Sequence, residues 1–301
     1  MNQPKKQLLT ELSLFFIALI WALNFTVIKA SLSEIDPYSF NALRFILAAL
    51  FLWGIVFYRG ETFRISKEDW VPLTFLGLSG NLLYQGLFII GIDLTLAANA
   101  AIMLGTIPIW VALGSHLFSV EFLNRLKGVG IVLGFIGVVL IITTGEEPIS
   151  IQSDTFRGDI IITLAAIVLG VYTIFSKNFL TRYTPLQFSA FMTSLGAVCL
   201  VLIAIPHFHR TEWMEVSAPA YGGMVFSGML AIGLAYVIWN NAIHRVGAVR
   251  AATYQNLVPV LGLLFGIVLL GESLQFWQYV GSAVVVGGIL CARYGGRIGK
   301  V

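Results

Sequence analysis

The residues able to do chemistry in this chain are few, and most sit where water should not reach. Asn24, Arg44, Gln85, Asn99, Tyr172, Tyr236, Tyr254 and Gln255 all fall inside long apolar runs. A polar side chain in such a run is expensive, so it faces another helix or a water-filled cavity. Asn99, Met103, Thr106 and Trp110 recur at i, i+4, i+7 and i+11, which is one face of a helix. Amides, phenols and aromatic rings that converge on an apolar cavity suit a small organic ligand. For any one residue a second reading stays open, in which the amide ties two helices together for about 0.6 kcal/mol.

Covalent and metal chemistry find less support. Gly77-Leu78-Ser79-Gly80 resembles the Gly-x-Ser-Gly around the nucleophile of rhomboid intramembrane proteases. That reaction needs a His base beside Ser79, yet His116, His207, His209 and His244 fall near the ends of apolar runs. An intramembrane serine protease is therefore the remote alternative, and no enzyme activity is expected. Cys199 and Cys291 lie in apolar runs and read as small buried hydrophobes. There is no phosphate-binding Gly-x-x-x-x-Gly-Lys-[Ser/Thr] loop, so transport driven by nucleotide is not expected. No cofactor and no metal are expected either.

The elements that must position these residues follow from composition. The chain of 301 residues is 58% hydrophobic and 11% charged, where a soluble domain keeps about 25% charged residues to face water. Most of its surface must therefore face lipid. The net charge of +3 is too small to point to nucleic acid, and no obligate protein partner is evident. A helix needs about 20 apolar residues to cross a hydrocarbon core of about 30 Å. Runs of that kind lie near 12–32, 38–58, 71–92, 97–118, 127–144, 158–179, 186–206, 219–241, 250–271 and 276–294. They are too long and too uniform for barrel strands, so an all-α integral membrane protein with ten transmembrane helices is expected. Lys5, Lys6, Arg59, Arg64, Lys67, Arg125, Lys127, Arg245 and Arg297 would share one side of the membrane, with Lys29, Arg157 and Arg210 on the other. That bias predicts cytoplasmic N- and C-termini.

The chain also repeats. At an offset of 148, Lys29 falls on Lys177, Pro37 on Pro185 and Asn24 on Tyr172. Further along, an offset of 151 pairs Gln85 with Tyr236, Phe88 with Trp239, Met103 with Tyr254, Pro108 with Pro259, Glu121 with Glu272 and Gly130 with Gly281. Five spans per copy is an odd number, so the copies should be inverted, an arrangement that lets two halves rock about a central site. The expected division is 1–145, an outer linker 146–157, and 158–301.

Trp21-Ala22-Leu23-Asn24-Phe25 resembles the Trp-Gly-x-Asn-Phe opening of the drug/metabolite transporter superfamily, and Pro37…Arg44 follows as in that family. The alanine-rich starts at 97–101 and 250–253, each followed by a proline, and the Gly-Glu-Ser-Leu at 271–274 fit its branch of paired EamA-type domains. This resemblance implies a multi-pass protein of the bacterial cytoplasmic (inner) membrane that exports small metabolites, often amino acids. The aromatic content of the candidate cavity favours neutral and aromatic amino acids. The expected substrate-binding residues are Asn24, Tyr84, Gln85, Asn99, Met103, Tyr172, Tyr236, Trp239, Tyr254 and Gln255. Lys29, Arg44 and Lys177 are the expected gate or vestibule residues. Arg44 would meet backbone carbonyls or a substrate carboxylate at the outer vestibule, or snorkel to the interface. Glu121 and Glu272 would stabilise the N–H groups of the helices that follow, and Trp21, Trp70 and Trp277 would anchor at the interface. No span carries an acidic residue near its middle, which favours a facilitative carrier over the alternative, a proton-coupled efflux carrier. The partners are then the substrate and the lipid bilayer.

Overall fold

Helix starts are written into the sequence as cap and proline pairs. Asp36 accepts hydrogen bonds from the N–H groups of Tyr38 and Ser39 ahead of Pro37, and Thr184 forms a capping box with Gln187 ahead of Pro185. Ser217 accepts from Ala220 N and Asn124 from Lys127 N in the same way. Each cap supplies an acceptor to a first turn that has no internal partner.

The computed structural model describes residues 3–61, 64–95, 97–121, 123–144, 153–265 and 275–298, and among these the regular structure is helical throughout. Helices α1 (Gln3–Leu32) and α2 (Pro37–Tyr58) are continuous. Helix α3 joins Trp70–Gly77 to Tyr84–Leu94 through a π-helical stretch, Leu78–Leu83. Helix α4 is broken at Thr106 into Ala97–Gly105 and Ile107–Leu117. Then follow α5 (Arg125–Thr143), α6 (Ser153–Phe179) and α7 (Pro185–Ala204). Helix α8 joins Ala218–Phe226 to Ala235–Val246 through π-helical Ser227–Leu234. Helix α9 joins Ala248–Thr253 to Leu257–Phe265 through a 3₁₀ turn, Tyr254–Asn256, and α10 spans Phe276–Ile298. Helix α6 thus begins inside the stretch expected to be linker.

Eight helices among the described residues are long and apolar enough to cross a membrane, and the broken α4 and α9 lie within the remaining two apolar runs. The chain is an all-α multi-pass membrane protein. Its outer surface shows Leu50, Phe57, Val71, Phe75 and Leu202 exposed, as expected where lipid is the solvent. Among the described residues, α5 and α10 bring their backbones into near contact. A Cβ on Gly130 would lie 2.5 Å from Gly288 O, and one on Gly288 would lie 2.6 Å from Gly130 O. Gly137 and Gly281 stand in the same mutual relation, at 2.7 and 2.8 Å. Only glycine admits backbones this close, and in lipid such packing replaces the hydrophobic drive.

The interior elsewhere is less uniform. Both π-helical stretches and both broken helices turn toward one central cavity. Irregular backbone at membrane depth is tolerated where it is buried in protein or lines a cavity.

Candidate functional site

A cavity of about 300 Å³ lies between α1, α2, α3, α4, α6, α8 and α9. Its walls are largely aromatic. The rings of Trp21 and Trp239 approach to 5.4 Å, those of Phe25 and Phe88 to 6.0 Å, and those of Tyr84 and Phe88 to 5.8 Å. Trp21 Nε1 donates to Ala231 O at 3.0 Å. Ala231 belongs to a π-helical stretch, where the ordinary helical ladder is interrupted and a carbonyl can be spared. Tyr172 reaches the cavity from α6, and Gln255, Val258 and Pro259 reach it from α9.

The polar part of the site is organised by Arg44, which is buried with 1% of its surface exposed. Its Nη2 donates to Gln85 Oε1 at 2.6 Å, its Nε to Asn41 Oδ1 at 2.8 Å and its Nη1 to Ser227 Oγ at 3.3 Å. Gln85 in turn donates from Nε2 to Tyr236 Oη at 2.5 Å. Helices α2, α3 and α8 therefore meet through one guanidinium and one amide. Asn41 can reach because it lies three residues before Arg44 on the same helical face. The Phe40 ring lies 5.6 Å from the guanidinium carbon.

Asn24, Tyr84, Gln85, Tyr172, Tyr236, Trp239 and Gln255 all line this cavity. Met103 and Tyr254 do not, and the side chain of Asn99 lies outside the described residues. The reason is local backbone geometry. Helix α4 breaks at Thr106, whose hydroxyl turns back to donate to Met103 O at 2.5 Å, so the i, i+4, i+7 face does not persist. Leu104, Gly105 and Ile107 line the cavity instead. In α9 the 3₁₀ turn advances each residue further around the axis than an α-helix does. Gln255 reaches the cavity while Tyr254 is buried in the surrounding core.

Other expectations need correcting. Arg44 does not snorkel; it is buried, and its hydrogen bonds hold it in the cavity wall. Trp21 is no interface anchor, because its ring and its N–H are both engaged beside the cavity. The i, i+3, i+4 spacing of Trp21, Asn24 and Phe25 could have shown that all three share a face. Lys29 is exposed in the last turn of α1. Glu121 does not cap α5, a role taken by Asn124. Its carboxylate instead pairs with Lys127 Nζ at 2.8 Å and Lys177 Nζ at 3.6 Å. Glu272 lies outside the described residues.

A second ion cluster escaped the sequence reading. Glu11 in α1 is buried and pairs with Arg250 of α9 and, at 2.9 Å, with Arg293 of α10. Glu11, Arg293 and the bond from Asn124 Nδ2 to Gly295 O at 2.6 Å place the described ends of α1 and α10 on one face of the bundle. On the opposite face Glu34 accepts from Ser217 N at 2.6 Å, and Thr95 Oγ1 donates to Asp159 Oδ1 at 2.5 Å. Ion pairs thus tie the helices on the terminal face, while several neutral donors serve the far face.

The sequence model of the EamA-like transporter family matches residues 8–143 and 156–294. The chain belongs to the EamA-like transporter family. An uncharacterized transporter of Archaeoglobus fulgidus is 29% identical over 93% of this chain and 96% of its own length. The uncharacterized transporters YoaV and YyaM of Bacillus subtilis are 27% and 26% identical, each over 92% of this chain and over 94% and 91% of their own lengths. A solved crystal structure shares the fold with a TM-score of 0.79 and 18% identity, covering 99% of both chains. This EamA-like protein is a membrane transporter of small molecules, not an enzyme. Ser79, the residue of the protease-like motif, donates its hydroxyl to Leu76 O at 2.8 Å within its own helix.

Proposed function

We propose that this EamA-like transporter exports neutral amino acids, aromatic ones included, across a bacterial cytoplasmic membrane. The cavity alternates in access between the two sides, and both termini lie in the cytoplasm. The observation that carries the reading is the cavity itself, walled by aromatic rings, pierced by a few polar groups, and drawn from both matched segments. A volume of about 300 Å³ is at the lower end of the range for small-molecule sites.

Alternating access follows from two inverted copies of five helices. This reading is supported by the two matched segments of similar length and by the paired π-helical stretches in α3 and α8. The reciprocal glycine contacts of α5 and α10 are what a two-fold relation would produce. Transport is facilitative, since Glu11 and Glu121, two carboxylates of the terminal face, are each held by two cations.

Purified protein in proteoliposomes loaded with unlabelled amino acid should accumulate labelled phenylalanine or leucine by counterflow. Counterflow of nucleosides or amphipathic drugs without any amino acid would sink the reading. A pH jump that drives substrate flux with stoichiometric acidification would replace facilitation by proton exchange.

A further inference from the structure

The guanidinium of Arg44 is charged at any working pH, and a buried charge is costly unless an opposite charge meets it. Its three hydrogen-bond partners, Gln85, Asn41 and Ser227, are all neutral. Among the described residues no carboxylate forms an ion pair with it, although the chain does pair its other buried arginine, Arg250, with Glu11. A guanidinium has five N–H donors. The three bonds use one each on Nε, Nη1 and Nη2, which leaves one on each Nη. The cavity wall therefore carries a fixed positive charge with donors to spare.

We infer that Arg44 is the carboxylate-binding residue of the cavity, so that the transported molecule is a monocarboxylate. This rests on the reading of the cavity as the substrate site. Charge balance selects the anion: Arg44 is the one charged residue in the described lining, and a single carboxylate neutralises it. A phosphate dianion would leave an excess negative charge against aromatic walls. The neutral partners hold the guanidinium plane without cancelling its charge, as a reusable site requires.

The rest of the lining fits an amino group on the same molecule. Asn24 Oδ1 and Gln255 Oε1 are buried acceptors with no hydrogen-bond partner, and both residues line the cavity. Asn24 is itself only 9% exposed. Acceptors without donors suit an ammonium group, and the faces of Trp21 and Trp239 add cation–π attraction.

The test uses three probes of one shape: L-phenylalanine, 3-phenylpropionate without the amine, and phenethylamine without the carboxylate. Each competes with labelled phenylalanine for counterflow in proteoliposomes, and each is assayed for thermal stabilisation of the wild-type protein. Phenethylamine should compete about 100-fold less well than phenylalanine, the scale of a lost charge-assisted pair. Arg44→Gln should erase that difference, and Arg44→Lys should restore part of it. If Arg44→Gln fails to fold, the wild-type stabilisation series and Arg44→Lys still decide. Equal stabilisation by phenethylamine and phenylalanine, or stabilisation by neither carboxylate, would overturn the inference. So would unchanged discrimination in Arg44→Gln. Binding of 3-phenylpropionate that depends on Arg44, with no amino acid carried, would uphold the inference and overturn the amino-acid reading.

Discussion

Gln85 and Tyr236, 151 residues apart, share a hydrogen bond of 2.5 Å beside the cavity. That separation is the offset of the sequence repeat, so each residue touches the position assigned to it as an equivalent. The same amide also accepts from Arg44 at 2.6 Å. One side chain thus joins the two segments and orients the only charge in the described lining.

Gln85→Glu should separate stability from function. It places a carboxylate where Arg44 already donates, so the melting temperature should rise while transport of carboxylate substrates falls by more than about tenfold. A drop in melting temperature would show that Arg44 is already compensated. Tyr236→Phe leaves Gln85 Nε2 without its acceptor and should cost about 1–3 kcal/mol, measured by thermal unfolding in detergent.

Glu11→Gln leaves Arg250 and Arg293 without their carboxylate. Breaking a buried pair from one side costs about 3–5 kcal/mol, so the single variant should melt well below wild type. Glu11→Leu with Arg250→Leu should recover part of the loss, because the buried Glu11–Arg250 pair is then removed from both sides, while Arg293, 28% exposed, can turn to solvent. A double-mutant cycle with no coupling would remove this cluster as a tie on the terminal face.

Gly130→Ala should prevent close approach of α5 and α10, since its Cβ would sit 2.5 Å from a backbone carbonyl that cannot move aside cheaply. Gly128→Ala, two residues away on the same helix, meets nothing within 4 Å. It should be neutral or stabilising by up to about 1 kcal/mol through helix propensity. Parallel melting curves of the two variants check the contrast.

Trp21→Phe keeps an aromatic ring beside Trp239 but removes the donor to Ala231 O. The fold should lose about 0.5–1.5 kcal/mol, the size of one neutral hydrogen bond, and thermal unfolding in detergent would measure it.

Much of the site was legible because buried polar residues in apolar runs are rare enough to mark it. Asn24, Gln85, Tyr172 and Tyr236 stand out on that ground alone, and the structure gathers them round one cavity. Met103 and Tyr254 misled because regular helical periodicity was extended through segments that unwind. Trp21 misled because tryptophan is common at interfaces, although it lies at the middle of the 12–32 run. Glu11 was missed because it lay one residue outside the expected span, whereas helix α1 extends well beyond that run toward the N-terminus.

By itself, the sequence determined that the chain lives in lipid, that it is helical, where most helices start and that it resembles itself at offsets of 148 and then 151 residues. Those properties depend on composition and on neighbours a few residues apart. Only the tertiary structure decided that Arg44 belongs to the cavity, that its partners are neutral, and that Glu11 and Glu121 hold cations from distant helices. The direction of a long side chain and the charge it meets depend on helices far apart in sequence, and no local pattern records them.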